Sequence, residues 1–413
     1  MRVGGALRPL GERRFRLLWL GRASSGIGDA VVPVALVFAI LSIDGSPTAV
    51  GGVLASFTIA RVTFTLVGGV VADRLPRRAV MLAADLIRAA IEAFTAAMLL
   101  TGHMTLPLFL VTGALFGTAS AFFAPASDGL VPQTVSRENL QAANALLGIT
   151  RNSLYVFGPA VSGSLIALAG TGWVFAIDAL SFVVSAFFLF RLQVDPQARA
   201  PRSRFLHEVR TGLHEVTSRA WVRVPMVGFA ITNMAFAAFI VLGPLVFRDH
   251  FHGARDFGIA STCGSAGAIL GALASVRIRP RHPLYAGFLA STLIAAPIAA
   301  LAGPLPVPAI ALAWGAAMAS IALSNTWWET TLQRSIPEHV YSRVRSYDIL
   351  VSFVFVPLGM IAFGPVAEAV GYERTLLAAA GVVALTNIVV AFSPAVREIT
   401  DPTAQPLPEP AAV

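Results

Sequence analysis

The sequence predicts an all-α membrane protein of twelve transmembrane helices in two six-helix halves. Three observations predict it. Of 413 residues, 56% are hydrophobic and only 13% are charged, with a mean hydropathy of +0.74. A soluble domain carries about 25% charged residues, so this much apolar surface needs lipid as its solvent. The apolar residues fall into twelve long runs, and about 20 helical residues cross a bilayer. The arginines between the runs crowd onto alternate loops, the pattern of cytoplasmic loops in membrane proteins.

In chain order, residues 1–16 carry Arg2, Arg8, Arg13, Arg14 and Arg16, a basic cytoplasmic start. The first apolar run follows these arginines and is long enough to span, so it reads as a span and not as a cleavable signal. The N-terminal half, 17–193, holds spans at 17–42, 48–72, 79–101, 105–127, 140–169 and 173–193. The C-terminal half, 221–393, holds spans at 221–247, 256–276, 284–303, 306–330, 342–369 and 373–393. Residues 194–220 form a cytoplasmic linker. Within it Phe205, Leu206, Val209, Leu213 and Val216 recur at helical spacing, predicting an amphipathic helix on the inner membrane surface. The tail, 394–413, is Pro-rich and reads as disordered. An even number of spans leaves both termini cytoplasmic.

The thirty basic residues are all arginine, and the net charge is +8. Their placement marks topology rather than a nucleic-acid surface. One side carries Arg74, Arg77, Arg78, Arg137, the group from Arg199 to Arg223, Arg277, Arg279, Arg281, Arg334, Arg343 and Arg345. The other carries only Arg248, Arg255 and Arg374. The Lys-free, Ala/Gly/Arg-rich usage points to a high-GC bacterial genome. Cys263, the one cysteine, lies in an apolar run and reads as a small packing residue. The halves look duplicated: Val135-Ser-Arg-Glu-Asn-Leu140 precedes span five as Ile336-Pro-Glu-His-Val340 precedes span eleven, and Gly170 and Gly371 close those spans. Transporters built from repeats place their substrate site at midplane between the halves.

Several segments resemble the major facilitator superfamily. Gly69-Val-Val-Ala-Asp73-Arg74-Leu-Pro-Arg77-Arg78 matches its loop signature G-x-x-x-D-R-x-x-R-R, followed by Asp85-Leu-Ile-Arg88. Phe15-Arg-Leu-Leu-Trp-Leu-Gly-Arg22, Gly28-Asp29, Phe123-Ala-Pro125, Leu140-Gln-Ala-Ala-Asn144, Gly158-Pro159 and Phe175-Ala-Ile-Asp178 resemble its macrolide-efflux and enterobactin-exporter-like branch. The resemblance implies the major facilitator fold and a proton-driven drug antiporter working by alternating access. It implies that Gly69, Asp73, Arg74, Arg77, Arg78 and Asp85 form a gate, with Gly69 letting span two approach span eleven and Asp73 facing that span's positive N-terminal end. It also marks Gly158, Pro159 and Gly163 as an antiporter-like helix break, although Ser162 replaces a family glycine. The second-half copy of the loop keeps Gly267 and Gly271 without an Asp-Arg pair, and span four lacks the intramembrane Arg of many proton antiporters.

Ionisable residues inside a membrane are costly and mark function by default. Asp29 lies mid-span and can bind and release a proton, hold a cationic substrate, or serve as a neutral helix contact. Asp85, Arg88 and Glu92 share one face of span three. Equal rise per residue puts Arg61 of span two at a depth between Arg88 and Glu92, predicting an Arg61–Glu92 pair. The four charges form either a structural zipper or, with Asp29, a proton relay. Arg151, Asn152, Tyr155, Asn233, Asn325 and Trp327 are candidate substrate-cavity residues beside Asp29. Trp327 and Trp328 equally fit an interfacial belt, and Glu329 and Asp348 are expected to be solvated or paired with Arg334 or Arg345. Without lysine the chain has no P-loop and hence no ATP-driven pumping of its own. No enzymatic constellation, cofactor motif or metal site is read; His207 and His214 share an amphipathic face. The expected partners are a small-molecule substrate, protons and membrane lipid, with no nucleic acid, for a monomer in a bacterial inner membrane. A nutrient or siderophore transporter, or a sensor of the same fold, is the alternative.

Overall fold

In lipid, backbone N–H and C=O groups must be satisfied within their own segment, which makes each apolar run a helix. The structure, a computed structural model, describes residues 8–194 and 213–400, and no strand occurs among them. The helices are α1 (Arg13–Ile43), α2 (Pro47–Arg74), α3 (Arg77–Leu100), α4 (Leu106–Leu130), α5 (Leu140–Ala169) and α6 (Thr171–Arg191). They continue as α7 (Ala220–His250), α8 (Ala254–Arg277), α9 (Pro283–Ala302), α10 (Val307–Ser335), α11 (Glu338–Phe353 then Val356–Val370) and α12 (Tyr372–Phe392). Eleven of these are long and apolar enough to cross a membrane. The twelfth, α3, has 24 residues and reaches about 36 Å at 1.5 Å per residue; Asp85, Arg88 and Glu92 keep it from being uniformly apolar.

The chain divides into two compact units, Met1–Pro201 with Phe247–Thr262, and Arg202–Val246 with Cys263–Val413. The end of α7 and the first turns of α8 therefore belong to the first unit. There the Arg248 guanidinium donates to the Gly45 carbonyl at 3.1 Å, and Phe257 packs edge-on against Phe38 at 6.0 Å. Within this unit α1 packs on α5 and α6, α2 on α4, and α3 on α4 and α6. Small residues permit the close crossings. A Cβ on Gly117 would stand 2.3 Å from the Phe57 carbonyl oxygen, so α4 touches α2 backbone to backbone. The second unit repeats this seam between α8 and α10, where a Cβ on Gly267 would stand 2.0 Å from the Gly315 oxygen. Gly267, read from sequence as a relic of the loop signature, is thus a packing residue.

Gly170 and Gly371 link α5 to α6 and α11 to α12 in nearly the same conformation, φ +85° and ψ 166° against φ +90° and ψ 148°. That region is open essentially to glycine alone, and its recurrence at both sites supports the duplication.

Several expectations are corrected. α5 runs unbroken through Pro159, since a thirty-residue helix absorbs one missing hydrogen bond. The interruptions fall elsewhere: a 3-10 turn at Thr292–Ile294 ahead of Pro297, and a gap at Val354 and Phe355 ahead of Pro357. In an unbroken helix each of these proline rings would crowd the carbonyl four residues back. Cys263 is exposed rather than packed. The tail is ordered at its start: Pro394–Arg397 is helical, Val396 is fully buried, and Arg397 lies over the Tyr285 and Phe392 rings. The remainder, 401–413, lies outside the described residues. Only 213–218 of the expected linker helix is described; it is helical, with Leu213 exposed and Val216 buried in a core with Val222 and Met226.

Candidate functional site

The apolar runs leave few places for charge, and the first unit gathers it around one side chain. Helical spacing sets Asp85, Arg88 and Glu92 on one face of α3, and all three are buried. The Arg88 guanidinium, 2% exposed, lies between the rings of Phe123 and Phe182, 4.2 and 4.3 Å from their centroids. It pairs with Asp85 and stands 3.8 Å from Asp29 of α1. Asp85 also accepts a 2.6 Å hydrogen bond from the Ser185 hydroxyl of α6. Asp29 differs from its neighbours in access: 47% of its side chain is exposed. A buried cation shared between a buried and an exposed carboxylate can shift partner when the exposed one is protonated.

Two glycine crossings hold α1 in register with this site. A Cβ on Gly28 would stand 1.7 Å from Oδ1 of Asp178, so the missing side chain is the seat of that carboxylate. A Cβ on Gly158 would stand 2.5 Å from the Ala30 oxygen, and one turn on, Ser162 donates to the Val31 carbonyl at 2.6 Å. Gly163 packs in the same way on the Ala254 carbonyl. Gly158 and Gly163 therefore serve close contact rather than a break, and Ser162, the departure from the family pattern, supplies an interhelical hydrogen bond.

The expected Arg61–Glu92 pair does not form. Arg61 is exposed, 5.8 Å over the Phe57 ring, and its charge acts on Asp29. Glu92, by contrast, is buried. Asp178, quoted only within a resembling segment, is fully buried on α6 beside Ser181. The rule that flagged Asp29, an acid inside an apolar span, applies equally to it.

In the gating segment, Arg77 donates to the Gly129 carbonyl near the end of α4, and Arg78 to the Leu189 and Phe190 carbonyls at the end of α6, at 2.8 and 2.6 Å. Helix C-termini leave carbonyls unpaired and carry partial negative charge, so these arginines tie two helix ends to the start of α3. Arg74 is exposed, and nothing lies within 4 Å of where a Gly69 Cβ would be. The Asp73 side chain lies outside the described residues. Glu12, just before α1, accepts hydrogen bonds from the backbone and hydroxyl of Ser136 and from Asn139, each 2.8 Å. Slight burial works against its ionisation, but these three bonds outweigh it and hold its carboxyl below the ordinary glutamate range.

Arg151, Asn152 and Tyr155 are exposed on α5, and Asn325 is exposed on α10. In the second unit Asn233 donates to the Ser352 carbonyl at 3.0 Å, and Trp327 donates to the Ile278 carbonyl at 3.1 Å while lining a cavity of about 270 Å³. Arg345 bridges Glu329 and Asp348, and Trp328 donates to Asp348 at 3.1 Å. Of the two partners anticipated for these acids, Arg345 is the one in place.

The chain matches the transmembrane secretion effector family over residues 4–411. It is 26% identical to the multidrug efflux pump Tap of Mycolicibacterium fortuitum, over 93% of this chain and 96% of that one. It is 24% identical to macrolide efflux protein A of Streptococcus pyogenes, over 63% and 65% of the two chains. Among solved structures, a mutant of the nucleoside transporter NupG aligns at a TM-score of 0.76 and 14% identity, covering 92% of this chain and 100% of that one. A bacterial homologue of the iron transporter ferroportin, captured inward-facing, aligns at 0.72 and 17%, covering 92% and 99%. At those identities the structural likeness establishes the fold.

Proposed function

Because the chain belongs to the transmembrane secretion effector family of major facilitator transporters, we propose that it exports amphipathic small molecules across a bacterial cell membrane in exchange for protons. Both termini lie in the cytoplasm, and a single chain works by alternating access. The observation that carries this reading is Arg88, buried between two rings and shared by buried Asp85 and exposed Asp29. Inside the cell Asp29 is ionised and cargo binds. Outside, at lower pH, protonation of Asp29 frees Arg88 from its second partner and releases cargo. The gating segment follows the change through Arg77 and Arg78, which link α3 to the ends of α4 and α6. The direction is supported by the relatives, named for efflux of drugs and macrolides. Arg151, Asn152, Tyr155, Asn233, Asn325 and Trp327 remain the candidates for contacting cargo.

The test is accumulation of macrolides, tetracyclines, fluoroquinolones, dyes and siderophores in an efflux-deficient host expressing wild type or Asp29→Asn. Wild type should lower accumulation of at least one compound, and an uncoupler or Asp29→Asn should abolish the effect. Equal accumulation with and without the protein, or full export by Asp29→Asn, refutes the proposal. Increased accumulation turns the reading towards uptake.

A further inference from the structure

A cavity of about 270 Å³ lies at one end of the second unit, where α8 and α10 finish and α9 begins. Arg279 lines it from the α8–α9 loop, and Arg334 lines it from the last turn of α10. Pro280 and Pro283 are on the same wall, and their fixed φ restricts the loop that carries Arg279. The Trp327 indole forms another side and is tied to that loop by its 3.1 Å hydrogen bond to the Ile278 carbonyl. Thr400 contributes from beyond the short helix Pro394–Arg397.

The charge around this space has one sign. None of the described residues that line it is acidic. Glu329 of α10 and Asp348 of α11 are both engaged by Arg345. Among the described residues Arg279 makes no ion pair. Both lining arginines are exposed. Guanidinium groups match phosphate oxygens in charge and in fork geometry. The depth suits such a ligand too, because the ends of membrane-spanning helices lie at the level of the lipid headgroups. Basic pockets between helices at that level take phosphate headgroups. The volume is below the roughly 300–1,000 Å³ of pockets that enclose drug-sized ligands. Leu270, Leu273 and Ile278 of the adjoining segment are exposed apolar side chains, which in a membrane meet acyl chains.

We propose that this cavity binds a phosphate group through Arg279 and Arg334, carried by an anionic phospholipid of the adjoining leaflet or by a small soluble phosphate ester. The exposed leucines beside it favour the lipid. The site is independent of the direction of transport and of proton coupling, so failure of the export reading in the accumulation assay leaves it standing.

The test offers two probes to the purified full chain in detergent. Dioleoylphosphatidylglycerol, with dioleoylphosphatidylcholine as the zwitterionic control, is followed by native mass spectrometry. Glycerol 3-phosphate is followed by titration calorimetry. Wild type should retain phosphatidylglycerol in preference to phosphatidylcholine. Arg279→Gln and Arg334→Gln should each weaken binding about tenfold, the effect of losing one hydrogen bond to a charged group, and the double variant should weaken it further. Both side chains are exposed, so these variants keep the fold. Arg281→Gln, on the same loop but off the cavity wall, should weaken binding far less. Binding of glycerol 3-phosphate without any phosphatidylglycerol preference supports the site and assigns its ligand to the aqueous phase. The proposal is overturned if neither probe binds, the result expected when the arginines only offset the negative C-terminal ends of α8 and α10. It is equally overturned if the double variant binds as wild type does, or if Arg281→Gln costs as much as Arg279→Gln, the mark of a general basic surface.

Discussion

Arg88→Met isolates the energetics of the buried site. Methionine matches the arginine stem and can still pack against the Phe123 and Phe182 rings through its sulfur, so the change removes charge more than volume. Asp85, fully buried, then loses its countercharge and keeps only the Ser185 hydrogen bond. Removing one partner of a buried pair costs about 3–5 kcal/mol, and a desolvated cation between rings contributes roughly 2 kcal/mol more. The remaining Ser185 bond and the sulfur contacts offset part of this, leaving an expected loss of about 3 kcal/mol, a factor on the order of 10² in the folding constant. Asp29 needs no rescue, because it is half-exposed. The diagnostic partner is the Arg88→Met/Asp85→Asn double variant, in which Asp85 no longer brings a charge that lacks its partner while Ser185 retains an acceptor. The double variant should recover most of the stability lost by the single one. Equilibrium unfolding in detergent of wild type and the three variants measures both quantities. A single variant as stable as wild type, or a double variant no better than the single, refutes the view that an ionised Asp85–Arg88 pair holds this site together.

Two further outcomes follow from the geometry. Gly170→Ala and Gly371→Ala should each cost about 1–3 kcal/mol by forcing a Cβ residue into a glycine-only conformation; no atom lies within 4 Å of either position, so the loss in the same unfolding assay reports backbone strain and not a clash. Glu12 ties the start of α1 to Ser136 and Asn139, and its folded pKa lies below the ordinary value of 4.5. Its contribution is therefore present above that value and fades as pH falls through the lower folded one. The stability gap between wild type and Glu12→Gln should be open at neutral pH and close under acid; a gap that widens on acidification would count against these hydrogen bonds.

Much of the fold is legible in the chain because lipid imposes simple rules. Length and apolarity locate the helices, including α3, where three charges on one face do not disguise the span. The sharing of a face by Asp85, Arg88 and Glu92 follows from 3.6 residues per turn. What α3 meets does not follow. Arg61 does not pair with Glu92, because rise along a helix is fixed by geometry whereas the direction a side chain faces is fixed by packing with neighbours. Pro159 looked like a break and is absorbed, while the interruptions at Thr292–Ile294 and Val354 precede other prolines. Arg77 and Arg78 read as loop charge, and only the positions of the α4 and α6 ends make them ties between helices.

The sequence by itself determined that this protein lives in a membrane as twelve helices, which family of transporters it resembles, and that α1 and α3 carry charge into the bilayer. Those properties depend on local composition and period, which neighbours in the chain suffice to express. The tertiary structure decided that Arg88 lies between two rings, paired with Asp85 and 3.8 Å from Asp29, and that Gly28 leaves the space that seats the Asp178 carboxylate. These depend on which helix faces approach and how closely, and that is settled by glycines and side chains separated by up to about 150 residues along the chain and brought together only on packing.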